Sequence, residues 1–100
     1  MRQEVRITQT GRPSDYVKSI REKIRERNDP QSMEFRLSGL EGAMLVVCDT
    51  AQLLVQSNVA EIQTIQTKRI MVQSRYDHST VPKNLLQIVM TEPSVKISSE

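Results

Sequence analysis

Aromatic residues are nearly missing from this chain. It has no tryptophan, and Phe35, Tyr16 and Tyr76 are its whole aromatic complement. A core in these one hundred residues must therefore be built from Ile, Val, Leu and Met. A chain this short makes one domain, with a thin margin of buried surface. A small aliphatic core of this kind leaves room for apolar surface shared with a second subunit.

Cysteine is almost absent too. The lone Cys48 excludes an internal disulfide and fits a reducing compartment. No run reaches the roughly 18 apolar residues of a membrane span. The first ten residues alternate charged and apolar side chains and lack the apolar block of a signal peptide. The expectation is an intracellular protein, cytoplasmic or nuclear, with no membrane partner.

Catalytic groups are equally scarce. His78 is the single histidine, in the string Arg75-Tyr76-Asp77-His78. One histidine with no cysteine nearby does not make a zinc site, and a general base needs an oriented partner. Cys48 sits among apolar neighbours and reads as a small core hydrophobe rather than a nucleophile. Gly39-Leu40-Glu41-Gly42 carries no lysine and is not a phosphate-binding P-loop. A non-enzymatic chain without metal or cofactor is expected.

Charge is present, and it is segregated. Residues 1–27 hold eight Lys/Arg against four acids, a balance of +4. Residues 28–67 hold Arg36 against five acids, or −4. Residues 68–83 hold Lys68, Arg69, Arg75 and Lys83 against Asp77, or +3. Two basic regions around an acidic one can fold into a single basic face, the footprint of a polyanion binder. The plain alternative is a set of solvated helix and loop charges.

Periodicity divides the chain into six elements. Residues 4–9 alternate as a half-buried strand, with Val5 and Ile7 on one face and Arg6 and Thr8 on the other. A turn at Gly11-Arg12-Pro13-Ser14 leads into a helix over residues 15–27. Ser14 is the expected N-cap, Asp15 lies in the first turn, and Tyr16, Val17, Ile20 and Ile24 form one stripe. Asn28-Asp29-Pro30 stops that helix.

Met33, Phe35 and Leu37 mark a second strand, followed by a turn at residues 39–42. A second helix is expected over residues 43–56, closed by Ser57-Asn58; its start is apolar all round, which predicts burial on most sides. Residues 61–74 read as a long strand with a bulge near Thr67-Lys68. Residues 76–83 read as a polar loop, and residues 84–91 as the last strand. The expectation is a two-layer α+β sandwich of order β-α-β-α-β-β: a mixed four-stranded sheet with both helices on one face. Arg6, Thr8, Glu34 and Arg36 fall on the other face. Residues 1–92 form one domain in this reading, and residues 93–100 a frayed polar tail.

Three features could meet nucleic acid. In a parallel βαβ arrangement both helix N-termini open at one edge of the sheet, where free backbone N–H groups and Arg12 can face phosphate. The hairpin around residues 68–83 is suited to a groove through Lys68, Arg69, Arg75, His78 and Lys83, and Tyr76 can stack on an unpaired base. Lys18 adds a cation on the first helix.

These residues also resemble a known family. Arg12-Pro13 with Tyr16-Val17, the stretch Ser38-Gly39-Leu40-Glu41-Gly42-Ala43-Met44, and Asp49-Thr50-Ala51-Gln52-Leu53-Leu54 together resemble the Alba family of chromatin and RNA-binding proteins, from about Val5 to Met90. The resemblance implies contact with RNA or DNA at Arg12 and along hairpin arms, here Lys68, Arg69, Arg75 and Lys83. It also implies a homodimer, or a heterodimer with a related Alba chain, through the second helix, here Met44, Leu45, Cys48, Asp49 and Gln52. Gly11 stands where a lysine is common, and Glu41, Gly42, Leu45 and Val46 stand where many members carry basic or polar residues. A protein-interaction subunit of an RNA-processing or chromatin complex is the alternative role.

Overall fold

The computed structural model describes residues 2–26 and 32–93. Its elements are β1 (Arg2–Arg6), α1 (Pro13–Glu26), β2 (Glu34–Leu40), a 3-10 turn (Glu41–Ala43), α2 (Met44–Gln56), β3 (Glu61–Gln73) and β4 (Thr80–Thr91). The sheet order is β1-β2-β4-β3. β1 pairs parallel with β2, and β4 runs antiparallel between β2 and β3. The chain is thus the expected α+β sandwich: a mixed four-stranded sheet in β-α-β-α-β-β order. The end of the first helix expected at Arg27, the stop at 28–30 and the tail from residue 94 lie outside the described residues.

Alternation decides which side of the sheet is covered. Phe35, Leu37 and Gly39 of β2 stand beside Met90, Ile88 and Leu86 of β4. This row is buried under Val17 and Ile20 of α1 and Val47, Ala51 and Leu54 of α2. Gly39 makes the packing close: a Cβ there would lie 2.7 Å from Val47 Cγ2 and 3.1 Å from Ala43 Cβ. The buried Thr50 hydroxyl donates to the Val46 carbonyl at 2.7 Å, one turn back, which satisfies it inside the core.

Local chemistry moved several boundaries. β1 lies at residues 2–6, starting two and ending three residues earlier than the 4–9 its alternation suggests. Thr8 is beyond the strand, where its N–H donates to the Tyr16 hydroxyl at 3.0 Å. α1 opens at Pro13 and not after Ser14, because the Arg12 carbonyl already accepts from Asp15 and Tyr16. Proline suits that first helical position, which needs no donor. Gly39 and Leu40 remain in β2 opposite Leu86 and Leu85 rather than turning.

α2 ends as expected at Ser57-Asn58. Asn58 takes a left-handed φ of 58°, Val59 N–H reaches the Leu54 carbonyl, and Asn58 N–H reaches that of Val55. This is the Schellman closure, with asparagine in the glycine position.

The hairpin differs most. The register shift falls between Ile62 and Thr64, well before Lys68. Residues 80–83, expected in a loop, are strand: Thr80, Val81, Pro82 and Lys83 pair with Gln73, Val72, Met71 and Ile70. β2 stops opposite Leu85, so the β3–β4 ribbon continues past the sheet as a free arm. The chain spans 61 × 24 × 22 Å with a radius of gyration of 15.5 Å, against about 13 Å for a compact chain of this length.

Candidate nucleic-acid interface

Parallel pairing of β1 and β2 brings both helix N-termini to the sheet edge from which the arm projects. Arg12 lies there, exposed, in the turn before α1. Gly11 shapes this turn. A Cβ on Gly11 would sit 2.6 Å from Cε2 and Cζ of the Tyr16 ring. The ring passes over the turn to bring its hydroxyl to Thr8. Glycine at this position therefore has a steric cause.

Glu41 has a structural cause too. Its Oε1 accepts the Asn84 backbone N–H at 2.7 Å. Asn84 is the first β4 residue beyond the reach of β2, so this donor has no strand partner on that side. The carboxylate takes the place of the absent strand and fixes the base of the arm.

The arm carries cations on both faces. Cross-strand neighbours share a face, so Lys68 (opposite Leu85) and Lys83 (opposite Ile70) lie on the uncovered side of the sheet. Arg69, opposite Asn84, lies on the helix side. Arg75 is in the tip, where Tyr76 is 97% exposed and His78 is exposed in a left-handed conformation with φ 59°.

The tip is ordered by hydrogen bonds. Ser74 N–H donates to the Ser79 carbonyl at 2.7 Å, and Tyr76 N–H to Ser74 Oγ at 3.2 Å. Asp77 Oδ1 accepts from the Ser79 hydroxyl at 2.7 Å and from its N–H at 3.1 Å. The Ser79 hydroxyl, then its N–H, then the Ser74 hydroxyl hold the Asp77 carboxyl below its ordinary value of 3.8.

Ion pairing is uneven along the molecule. Glu34 binds Arg2 at 2.8 Å and lies 3.6 Å from Arg36, at the end away from the arm. Arg12, Lys68, Arg69, Arg75 and Lys83 have no ion pair among the described residues. Arg6 joins them at the end of β1. The alternation of β1 places it on the uncovered face, but nothing in its sequence neighbourhood marks it as a contact. It borders a hollow of about 510 Å³ with Ser38, Leu40, Ile70, Leu85 and Gln87. Lys18 stands apart from this edge, roughly 8 Å down α1 at 1.5 Å per residue, beside Arg21, Arg25 and Leu53.

The second helix corrects one expectation. Cys48 is exposed, not a core residue. α2 buries only Val47, Thr50, Ala51 and Leu54. Its apolar start therefore has two apolar sides, one on the sheet and one in solvent. Leu45 is 72% exposed, and Val55, Ile62 and Ile65 are exposed on α2 and β3. Ile62 and Ile65 stand opposite Met90 and Ile88, so they belong to the helix side of the sheet. Met44 and Cys48 share the α2 flank with Val55 at 100° per residue. Asp49 and Gln52 lie toward α1 instead, lining a hollow with Pro13, Leu53 and Gln56.

Among the described residues, no group of three or more His, Cys, Asp or Glu could hold a metal ion. No described helix is long and apolar enough to cross a membrane.

No family model and no curated protein matches the sequence. Solved structures do. Alba1 from Trypanosoma brucei superposes with a TM-score of 0.67 at 19% identity, covering 91% of this chain and 69% of that one. Alba from Thermoplasma volcanium superposes with a TM-score of 0.56 at 12% identity, covering 88% of this chain and 98% of that one. The chain has the Alba-like fold. The resemblance first drawn from three short strings thus holds at the level of the backbone.

Proposed function

We propose that this chain is an Alba-type nucleic-acid-binding protein, acting as a dimer on RNA or DNA with little sequence preference. The observation that carries this reading is the arm edge. Arg12 lies at that edge, and Lys68, Arg69, Arg75 and Lys83 are spread along the arm, all exposed and without ion pairs among the described residues. Cations left unpaired along a projecting ribbon are suited to phosphates, whose bound counterions they displace. A ribbon of two strands fits a groove, and Tyr76 offers a face for an unpaired base. Contacts from such cations would be chiefly to the phosphate backbone. Residues 1–92 act as the binding domain in this reading.

Dimerisation is proposed from the exposed flank of Cys48 and Val55 on α2 with Ile62 and Ile65 on β3, together with Leu45 on the outer face of α2. Met44 lines its edge, and Asp49 and Gln52 would lie at the rim. Exposed apolar side chains clustered beside an edge strand suit a subunit contact. The test is fluorescence polarisation with labelled single-stranded RNA and duplex DNA at low salt. Micromolar or tighter binding to both is expected, with a raised 260/280 nm absorbance ratio for protein purified at low salt. The reading fails if neither ligand changes polarisation.

A further inference from the structure

Lys18, Arg21 and Arg25 are exposed on α1 and lie away from the arm edge. At 3.6 residues per turn they fall within about 60° of one another, on the flank that faces α2. With Ser14, Val17, Leu53 and Ser57 they line a groove of about 480 Å³ between the helices. A second hollow of about 320 Å³ continues past the helix ends, lined by the same Arg21 and Arg25 with Ile24, Val59, Glu92 and Pro93. Neither arginine, nor Lys18, has an ion pair among the described residues.

Capping of α2 does not account for these cations. The closing carbonyls of α2 are already used: Leu53 accepts from Ser57, Leu54 from Val59 and Ala60, and Val55 from Asn58. The arginines flank an apolar floor, in which Val17 is buried and Leu53 is 39% exposed.

We propose that this groove docks an acidic amphipathic peptide segment of a partner protein. Carboxylates spaced about one helical turn apart would meet Arg21 and Arg25, and an apolar side chain between them would cover Leu53 and Val17. A phosphate backbone fits less well. Glu22 lines the same groove, and Asp49 lines the neighbouring hollow that shares Leu53 with it. A polyanion descending from Arg12 would pass Asp49 as well as Glu22, whereas a short peptide at Arg21 and Arg25 meets Glu22 alone. The groove lies on the α1 side of α2, opposite the flank that carries Cys48 and Val55, so the proposed dimer leaves it open.

The test uses a labelled designed peptide about four helical turns long, with leucines on one face flanked by glutamates. Its glutamine counterpart and a single-stranded RNA serve as competing probes. The glutamate peptide is expected to bind and to shift amide resonances of Val17, Arg21, Arg25, Leu53 and Ser57. Arg21→Glu with Arg25→Glu should weaken it roughly tenfold or more, and the milder Arg21→Gln with Arg25→Gln should weaken it less. Arg75→Ala with Lys83→Ala should leave it unchanged. An unaltered amide spectrum of each variant outside the groove confirms that the fold is kept. The proposal is overturned if the peptide does not bind, if the glutamine peptide binds equally, or if shifts map elsewhere. It is also overturned if the Arg21 and Arg25 variants lose RNA affinity as much as peptide affinity, which would make the groove a phosphate track.

Discussion

Glu41 Oε1 accepts the backbone N–H of Asn84 at 2.7 Å. One carboxylate from the turn before α2 thereby holds the point where β4 leaves the sheet. Glu41→Ala leaves that donor to water. The Asn84 amide should then exchange faster with solvent, and stability should fall by about 1 kcal/mol. Glu41→Gln keeps an acceptor oxygen and should retain most of the protection. Unchanged exchange in Glu41→Ala would show that the arm base is fixed by other means.

Gly11 and Tyr16 form a second such pair. Gly11→Ala drives a methyl group into the phenol ring, and overpacking of this kind costs about 1–3 kcal/mol. The cost should shrink in a Tyr16→Ala background, because the clashing ring is gone. A thermodynamic cycle from urea unfolding measures this coupling, and additive effects would contradict the contact.

Asp77 sets a pH limit on the tip. Hydrogen bonds from Ser79 and Ser74 depress its pKa below 3.8. A depressed carboxylate contributes its stabilisation above the unfolded value and loses it as pH falls through the folded value. The tip amides of Tyr76 and Ser79 should therefore stay ordered at pH 5 and lose their native shifts only below about 3.8. Asp77→Ala should abolish that transition in the tip at every pH.

The apolar strip predicts the oligomeric state. Leu45→Glu or Ile65→Glu places a charge in the proposed contact and should shift sedimentation from dimer to monomer without unfolding the chain, since both positions are exposed. A sedimentation coefficient identical to wild type would remove the strip from the interface.

How much of this was legible in the sequence depended on which side of each residue mattered. Alternation in β2 and β4 gave the buried rows directly, because one face of each strand is covered. Stop signals such as Ser57-Asn58 also read correctly, since their backbone geometry is local. The β3 half of the arm read as strand, but its return, residues 80–83, read as loop. Val81, Pro82 and Lys83 are exposed on a ribbon with no covering layer, so no burial pattern distinguishes them from loop. Glu41 looked like an acid standing where a cation should be, because its partner, Asn84, is 43 residues away. Cys48 looked buried because an apolar run does not say which of its sides meets the core and which meets solvent. The basic bank of Arg21 and Arg25 is visible as helical spacing, but the groove beside it depends on where α2 packs.

The arm edge is the centre of the functional account, and the salt dependence of binding tests it most directly. Affinity for a labelled RNA and a duplex DNA should be measured across potassium chloride concentrations for the wild type and for Arg75→Ala with Lys83→Ala. The account predicts a steep linear fall of log affinity with log salt. The slope should be shallower in the variant by about 0.7–0.9 for each phosphate that is no longer neutralised, with affinity reduced alike for unrelated sequences. A wild-type slope near zero, or a variant that binds with the same slope and affinity, would contradict it.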